Sequence, residues 1–578
     1  DTRACDVAGL PTGDPTTGLV AAEQAYFGAA SVAQFSQYPS MSDGSGGTVD
    51  QRTAAAGANL VNYLRGQHTH EGTALFTTND LTKLYRARTH VLGDFVNSQP
   101  AFVKGPFASY ADSGYATFKS DHAGRTPMIY AGANDGMLHA FVASNGAESW
   151  AFIPRLVLPN LFKLADNNYA NTHQFYVDGS PTVGDIYASS TWKTILVGGL
   201  NKGGKGYYAL DVTDPAVPKA LWEFGWSDAC WDGVTTGVGS DCHLGYTFGR
   251  PIISKLQNGT WVVFVTSGVN NVNSPAKAGD GNGYLYVLNA DTGKLIAKIA
   301  TGVGDAETPS GLNQINNFVD NVLLNNTSLQ VYGVDLLGNV WRFDINDNLD
   351  PDGLEATLLG TAKDSAGNPQ PITTRPELAE IEGKPWVFIG TGRLLGLGDL
   401  PDTSTQSTYG FKDPLTGSPV YADLRSVLNP LQMTQPAGEL YRTIACSGSE
   451  ADCAGTNGWV VDLPESGERV NIDPKLQLGT LTFASNVPSN SACSIGGHSW
   501  LNFLDFRTGL AVPTSPNLAA SRRLNETLAV GLNFVRLTDG RIVVDVIGSG
   551  DKPPEVVELP VLTPPPAGKR VSWREVIN

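Results

Sequence analysis

The most informative stretch of this 578-residue sequence is Leu329-Gln-Val-Tyr-Gly-Val-Asp-Leu-Leu-Gly-Asn-Val-Trp-Arg-Phe-Asp344. It has the pattern of two β-strands joined by a tight turn, because β-branched and aromatic residues flank a short polar segment. The predicted turn runs from Asp335 to Asn339, and its Gly338 can adopt the positive φ that other residues resist. Val340 to Phe343 are predicted to alternate between the two faces of the second strand.

The same strand–turn–strand pattern recurs along the chain. The glycines that end the first strand of each copy are separated by 66, 70, 65 and 57 residues: Gly132, Gly198, Gly268, Gly333 and Gly390. A repeated all-β unit with turn glycines and an aromatic residue on the return strand is typical of a β-propeller. Three tryptophans lie on return strands of these units, or just beyond them, and are expected to be mostly buried between sheets: Trp150, Trp222 and Trp341. Each unit exceeds the roughly 40–50 residues of an ordinary blade, so long inserted loops are expected. The structural alternative, a parallel β-helix, has a much shorter repeat.

These patterns predict an all-β chain in three parts. A propeller with room for roughly seven blades occupies residues 91–550, after an arm over 1–90 and before a proline-rich tail over 551–578 that docks on the propeller. In the arm, Thr48-Val-Asp-Gln51 has the pattern of a capping box and predicts a helix over residues 49–65. Val91-Leu-Gly-Asp-Phe-Val96 is predicted to be the first propeller strand.

The composition argues against two classes of protein. The formal net charge is −17, whereas nucleic-acid binding requires positive charge opposite the phosphates. No run of about 20 apolar residues occurs, so we expect no membrane-spanning segment in this chain. An acidic surface is instead compatible with divalent cations.

The six cysteines bear on the cellular compartment. Two pairs each flank a loop, and their spacing predicts local disulfides: Cys230 with Cys242, and Cys446 with Cys453. The remaining Cys5 and Cys493 could pair with each other and tie the arm to a late blade. Disulfides favour an exported protein, and the alternative is six reduced thiols in a cytosolic one.

Several motifs together resemble one family. They are Leu92-Gly-Asp-Phe-Val-Asn-Ser98, Tyr130-Ala-Gly-Ala-Asn-Asp-Gly-Met-Leu-His-Ala-Phe141, Val334-Asp-Leu-Leu-Gly-Asn-Val-Trp-Arg-Phe-Asp344, Gly390-Thr-Gly-Arg393 and Val571-Ser-Trp-Arg574. In this order they resemble the C-terminal domain of the PilY/PilC proteins, which are tip-associated adhesins and biogenesis factors of type IV pili.

The resemblance implies a modified seven-bladed β-propeller with long inserted loops and a partly helical N-terminal arm. It implies a role in pilus assembly, in calcium-linked control of pilus retraction, and in attachment to a host-cell or abiotic surface receptor. The implied partners are minor and major pilins or the pilus assembly machinery. The implied location is the periplasm, or the outer membrane and pilus tip at the cell surface. A longer N-terminal region, often with a von Willebrand factor A-like domain, is implied outside this chain.

Many members of that family carry a calcium loop, Asp-x-Asn-x-Asp-x-x-x-Asp, just before the hairpin formed by the 329–344 stretch. The corresponding residues here, 321–329, lack the carboxylates that a hard cation needs. We therefore do not expect this loop to bind calcium.

A different calcium-loop candidate follows the hairpin. Oxygen-bearing side chains occupy positions 1, 3, 5, 7, 9 and 12 of this loop: Asp344, Asn346, Asn348, Asp350, Asp352 and Glu355. Oxygens at alternate positions of a curled loop can converge on one Ca2+, and a glutamate at position 12 can close the site. Leu349 occupies the sixth position, where a glycine normally supplies positive φ. The alternative is a metal-free loop of Asx turns, in which the side chains satisfy backbone amides.

Two functions are compatible with such a propeller. The first is a non-catalytic extracellular domain that binds a pilus component or a surface. The second is a quinoprotein (PQQ-type) dehydrogenase, because Asn289-Ala-Asp-Thr-Gly-Lys294 resembles a turn that ends blades in those enzymes. The sequence has no adjacent cysteine pair to stack on a quinone, and no His-Glu-x-x-His, Gly-x-Ser-x-Gly or phosphate-loop motif. We therefore favour the binding protein and assign no catalytic residue.

Overall fold

The arm packs against the first two blades instead of forming a separate unit. In the computed structural model, the described residues are 19–72, 80–231, 239–272, 279–349, 353–417, 420–447, 457–489, 496–524, 527–550 and 552–562. The arm contains short helices and a parallel strand pair: α1 (Ala21–Gln24), α2 (Ala29–Val32), α3 (Gln51–Ala54), α4 (Ala58–Leu64), β1 (Glu71–Gly72) and β2 (Tyr85–Arg86). Its apolar residues share one core with early propeller strands and with the insertion around residues 157–176.

The prediction of one continuous helix over residues 49–65 is wrong. The chain forms α3 and α4 with a break at Gly57, whose φ of 69° cannot continue a right-handed helix. The cap also differs from the prediction, since the Asp50 side chain accepts from the backbone N–H of Thr53.

The propeller begins with four consecutive antiparallel blades. The first is β3 (Ala101–Val103), β4 (Met128–Gly132), β5 (Leu138–Val142) and β6 (Glu148–Phe152), and the second is β7 (Thr182–Ala188), β8 (Thr191–Gly199), β9 (Gly206–Asp211) and β10 (Lys219–Trp226) with β11 (Ser240–Asp241) on its edge. The third is β12 (Ile252–Lys255), β13 (Trp261–Thr266), β14 (Tyr284–Asn289) and β15 (Leu295–Ala300), and the fourth is β16 (Gln314–Val319), β17 (Ser328–Val334), β18 (Asn339–Asp344) and β19 (Ala356–Thr361). Two short helices interrupt them, α5 (Tyr115–Asp121) and α6 (Leu158–Leu161).

The later part of the chain forms larger and smaller sheets. A ten-stranded sheet contains β20 (Glu377–Ile381), β21 (Lys384–Gly390), β22 (Ser407–Lys412), β23 (Asn429–Thr434), β24 (Tyr441–Cys446), β25 (Gly458–Asp462), β26 (Lys475–Gln477), β27 (Thr480–Pro488), β28 (Gly497–Asp505) and β29 (Ser521–Arg523), with α7 (Leu424–Val427) before β23. A three-stranded sheet follows: β30 (Ala529–Arg536), β31 (Ile542–Gly548) and β32 (Glu555–Glu558). The strand β32 lies within residues 551–578, which were predicted to form the tail.

The all-β propeller is confirmed, whereas the number of seven blades stays a prediction. In the ten-stranded sheet the strand order is β20-β21-β22-β25-β23-β24-β29-β28-β27-β26, so two groups of four strands are joined through β23 and β24. The described strands therefore do not separate into seven individual four-stranded sheets. No described helix has the length and apolar character that crossing a bilayer requires.

The predicted first strand over residues 91–96 is wrong. This segment makes no strand, and β3 begins only at Ala101. Its backbone is held by side chains of neighbouring loops, as described below, and Pro100 removes a donor that a ladder would need.

The hairpin of residues 329–344 is confirmed as β17 and β18, which pair antiparallel with Gly333 opposite Trp341. Gly338 has a φ of 81°, and a Cβ there would lie 2.7 Å from the carbonyl oxygen of Gln370. Along the second strand, Val340 packs in one core and Trp341 and Phe343 pack in another, so the expected alternation between faces holds, but every residue of β18 is buried. A blade is covered on both faces by its neighbours, so neither face of its central strands meets water.

A buried carboxylate organises the turn of this hairpin. Asp335 accepts hydrogen bonds from the backbone N–H of Asn339 at 2.8 Å, from Trp341 Nε1 at 3.0 Å and from Ser310 Oγ at 3.1 Å. Burial raises the pKa of Asp335 above its usual range. These donors supply the partners that a buried carboxylate requires, so the turn and the Trp341 ring are fixed together.

The three tryptophans predicted to lie on return strands or just beyond them are largely removed from water. Trp341 is 2% exposed, Trp222 is 8% exposed, and Trp150 is half-buried. Trp341 packs in the core formed by the third and fourth blades. The prediction is therefore confirmed for Trp341 and Trp222 and less fully for Trp150.

Trp341→Ala is expected to lower the free energy of unfolding by roughly 3–5 kcal/mol, because it opens a cavity in a packed core and removes one donor from Asp335. Urea unfolding followed by circular dichroism measures the change. The control Val217→Ala removes an apolar group that is 59% exposed and should change stability by no more than about 0.5 kcal/mol. Equal effects of the two substitutions would contradict the burial of Trp341 between the third and fourth blades.

Candidate functional site

The acidic loop after β18 is held closed by its first carboxylate. Asp344 is buried, and its side chain accepts from the backbone N–H groups of Asn346 at 3.0 Å, Asn348 at 2.8 Å and Leu349 at 2.7 Å. This is the Asx-turn arrangement that the sequence left open as an alternative. Asp347 and Gly353 have positive φ, with values of 56° and 122°, whereas Leu349 at the sixth position does not.

The two asparagines of the predicted ligand set hold the loop to the neighbouring blade. Asn346 Oδ1 accepts from the backbone N–H of Gln257 at 3.0 Å, and Asn348 Nδ2 lies 3.2 Å from Gln257 Oε1. Asn346 Nδ2 also donates to the carbonyl oxygens of Ser328 and Leu329. Their polar groups thus support the loop, and Asp350 and Asp352 lie outside the described residues.

Glu355 differs from the other predicted ligands. Neither oxygen of its carboxyl group is accessible to solvent, and neither has a hydrogen-bond partner among the residues that the structure describes. Burial and the nearby charge of Asp344 raise the pKa of Glu355. A buried carboxylate without donors costs free energy unless a proton or a cation neutralises it. Either a bound proton or a hard cation would neutralise the Glu355 carboxyl group.

A second feature is an exposed apolar segment at the entrance to the first blade. We call residues 91–97 the strap. Four large apolar side chains of the strap are substantially exposed: Val91 by 40%, Leu92 by 43%, Phe95 by 42% and Val96 by 54%. Contiguous exposed apolar groups of this kind are unusual on a soluble protein and mark interaction surfaces.

The backbone of the strap is nevertheless fixed. Gly93 N–H donates to Asp135 Oδ2 at 2.8 Å, and the carbonyl oxygen of Asp94 accepts from the backbone N–H of Asn134 at 3.0 Å. Asn97 donates to both oxygens of the buried Asp178 from its backbone N–H and its side-chain amide. A Cβ at Gly93 would lie 2.3 Å from the backbone nitrogen of Asp135, so only glycine permits this approach.

A buried histidine orients the carboxylate that holds the strap. His139 on β5 has Nε2 3.0 Å from Asp135 Oδ2 and Nδ1 2.6 Å from Glu148 Oε1. Burial opposes a charge on this ring, but the hydrogen bonds and charges of Asp135 and Glu148 raise the pKa of His139 above its ordinary value. The protonated ring can donate to both carboxylates at once, which fixes Asp135 beneath Gly93.

The apolar residues of the strap satisfy the pattern of a strand, so the sequence alone does not identify it as an exposed surface. The available signal was the break in strict alternation at Gly93 and Asp94, followed by Asn97 and Pro100. The role of His139 had no comparable signal, since Glu148 reaches it only through the pairing of β5 with β6.

The turn that suggested a quinoprotein is an ordinary hairpin turn between β14 and β15. Asn289 N–H donates to the carbonyl oxygen of Lys294 at 2.8 Å, and the Asn289 side chain accepts from the N–H groups of Asp291 and Thr292. These contacts are internal to the turn. They give the dehydrogenase alternative no support.

Comparisons with known proteins give consistent matches. A family model described as the PilY1 beta-propeller domain matches residues 92–423. A type IV pilus biogenesis factor PilY1 homolog from Xylella fastidiosa is 34% identical over 562 residues, which cover 91% of this chain and 41% of that protein. The type IV pilus biogenesis factor PilY1 of Pseudomonas aeruginosa strain PAK is 32% identical over 507 residues, which cover 78% of this chain and 40% of that protein.

A solved structure supports the same relationship. The crystal structure of the Pseudomonas aeruginosa PilY1 C-terminal domain has a TM-score of 0.61 and 27% identity, covering 79% of this chain and 99% of that domain. The chain spans about two fifths of the length of the two curated relatives.

His139→Gln is expected to destabilise the protein more at low pH than at high pH. A histidine whose pKa is raised on folding contributes stability that is complete below its unfolded pKa of about 6.5 and is lost as the pH rises through the folded pKa. Denaturant unfolding of the parent and the variant across this range measures the difference. The same substitution at the exposed His90 is the control, and a pH-independent difference for His139→Gln would contradict the assigned ion pairs.

Proposed function

The chain belongs to the PilY1 β-propeller domain family, and from this premise we propose that it is a non-catalytic, exported domain that acts in type IV pilus biogenesis. The names of its relatives support the pilus role. Two observations support export: Cys230 is bonded to Cys242, as the spacing predicted, and Cys446 is also disulfide-bonded. Cys5, Cys453 and Cys493 lie outside the described residues.

The strap is proposed as the surface that contacts a pilus subunit, either a minor or a major pilin. The observation that carries this proposal is the combination of four exposed apolar side chains with a backbone fixed by hydrogen bonds. A fixed loop loses little conformational entropy on binding, and its apolar side chains gain free energy when a partner covers them. The region that matches the family model begins inside the strap, at residue 92.

Attachment to a host-cell or abiotic surface is the second proposed role. Its support is the family resemblance alone, so no residue of this chain is assigned to it. We place the domain in the periplasm, or at the outer membrane and pilus tip, on the same basis.

A circular arrangement of seven blades is proposed for the propeller. The first strand of each unit contacts the first strand of the next, through β3, β7, β12, β16, β20 and β26, and β27 contacts β30. In this arrangement the ten-stranded sheet represents two blades joined by β23 and β24, and the three-stranded sheet is the seventh.

Calcium is proposed to bind at the acidic loop after β18, with Asp344 and Glu355 at the end that the structure describes and Asp350 and Asp352 completing the site. The support is the Glu355 carboxyl group, which lies near the charge of Asp344 and has no hydrogen-bond donor among the described residues. With several carboxylates in reach, an affinity on the order of micromolar is expected. Binding would stiffen the loop and thereby control partner contacts and pilus retraction.

Phe95→Ser combined with Val96→Ser is expected to weaken binding to purified pilins by at least about tenfold, because each side chain loses its favourable burial in the interface. The affinity is measured with the domain immobilised and a minor or major pilin in solution. The control combines Val217→Ser with Val530→Ser, which are 59% and 52% exposed outside the strap. Unchanged binding of the strap variant would refute the surface, and a parent that binds no pilin would refute the proposed function.

Glu355→Gln is expected to abolish the calcium isotherm in titration calorimetry, because it removes the charge that would close the site. Without calcium, its melting temperature should equal or exceed that of the parent, since a neutral amide relieves repulsion from Asp344. Asp364→Asn, in an exposed turn whose carboxylate accepts from its own backbone, is the control and should bind as the parent does. Calcium binding by Glu355→Gln at parental affinity would disprove this site.

A further inference from the structure

The disulfide between Cys230 and Cys242 lies in an asymmetric environment. Cys230 is exposed, whereas Cys242 is 1% exposed. The bond holds the two-residue strand β11 against the outer strand of the second blade, where Gly225 pairs with Ser240. Cys230 is thus the surface residue of the pair, and Cys242 is the interior one.

Basic groups surround the buried sulfur. His243 Nδ1 lies 3.0 Å from Cys242 Sγ, and Lys298 Nζ lies 2.7 Å from the same Nδ1. The Lys298 side chain is 8% exposed and lies over the Tyr284 ring at 4.2 Å. Burial lowers the pKa of Lys298, which makes it a better proton donor than an exposed lysine. A proton shared between Lys298 and His243 therefore lies close to the sulfur.

The acidic groups that face this space already have partners. Asp241 Oδ2 accepts from Lys298 Nζ at 2.7 Å and from the hydroxyl of Tyr286 at 2.7 Å. Asp280 accepts from the hydroxyl of Tyr284 and lies 3.5 Å from His243 Nε2. Asp280 can therefore stabilise a charged His243 ring through Nε2, which itself lies 3.8 Å from Cys242 Sγ.

We propose that Cys230–Cys242 is a thiol–disulfide exchange site for an external dithiol, with Cys230 as the attacked sulfur and Cys242 as the leaving group. The stability of the departing thiolate controls the rate of exchange, and neighbouring cations lower the pKa of a thiol. His243 and Lys298 are positioning and proton-donating residues for that departure. A disulfide that only clips a loop would not require them.

The exchange balances in two steps. One thiolate of the dithiol attacks Cys230 Sγ, the bond to Cys242 Sγ breaks, and Cys242 leaves with the electron pair while His243, supplied by Lys298, provides a proton. In the mixed disulfide the first sulfur of the dithiol is bonded to Cys230. The second thiolate of the dithiol then attacks that first sulfur, and Cys230 is released. Cys230 leaves with the electron pair and takes a proton from solvent, and His243 regains from solvent the proton that it gave to Cys242. The protein thereby gains two electrons and two protons, and the dithiol, which loses its two protons to solvent before each attack, becomes a disulfide. The chemical class of partner is a dithiol oxidoreductase, for which dithiothreitol is the experimental substitute.

Reduction of the folded chain by dithiothreitol, followed by alkylation and peptide mapping of Cys230 and Cys242, tests the proposal. Exchange should be at least about tenfold slower in His243→Gln and in Lys298→Met than in the parent. The matched control is Lys255→Met, because Lys255 also pairs with a carboxylate, Asp112, at 2.6 Å and lies over a ring, but that ring is Trp261 and not the Tyr284 ring beside His243. Equal or faster exchange in the two test variants would overturn the proposal.

Two further readouts do not depend on the stability of those variants. With glutathione in place of the dithiol, the mixed disulfide should form on Cys230, and its formation on Cys242 would overturn the assignment. In a Cys230→Ser variant, thiolate absorbance at 240 nm should report a Cys242 pKa below the ordinary value of about 8.5. A value at or above 8.5 would show that the surrounding groups do not stabilise the thiolate.

Discussion

The constraint on which this structure depends is that the central strands of a blade are buried on both faces. Most polar groups inside must then find a partner within the propeller, because a buried polar group without one costs free energy. Arg342 and Asp413 illustrate the result: both side chains are 0% exposed, they pair at 2.9 Å, and the hydroxyl of Tyr332 donates to the same carboxylate. This pair joins β18 of the fourth blade to the segment after β22 in the next.

The same rule applies in the ten-stranded sheet. Arg442 is 0% exposed, pairs with Glu468 at 2.8 Å and stacks over the Trp500 ring at 3.7 Å. Ser485 donates to the same glutamate at 2.6 Å. Replacing one member of such a network leaves the others buried without partners, so these residues specify how neighbouring strands pack and not only how stable they are.

Because strand interiors are occupied by packing, distinctive surfaces arise where strands end. One local device recurs there: a carboxylate accepts from successive backbone N–H groups, as Asp344 does after β18 and Asp399 does for Leu395 and Gly396. Asp135 and Asp178 fix the strap by the same chemistry. Part of the acidic composition therefore holds turns in place through hydrogen bonds to the backbone. Glu355 is informative because its carboxyl group does not hold a turn in this way.

The sequence by itself determined what depends on neighbours along the chain. It predicted the hairpin of residues 329–344, the turn at Gly338 and the bond between Cys230 and Cys242, because two-residue periodicity, positive φ and a short loop are local properties. The same local reasoning misassigned residues 91–96, since apolar content alone does not distinguish a strand from an exposed segment held by other side chains.

Only the tertiary structure decided which distant groups meet. The pairing of β22 with β25 across the inserted β23 and β24 joins the late sheets, and no periodicity encodes that choice. Contacts between separate strands likewise bury the Glu355 carboxyl group. They also bring Glu148 to His139, and Lys298 to His243 beside Cys242. Their chemistry depends on burial and on distances of about 3 Å, which are set by the packing of whole blades and not by spacing along the chain.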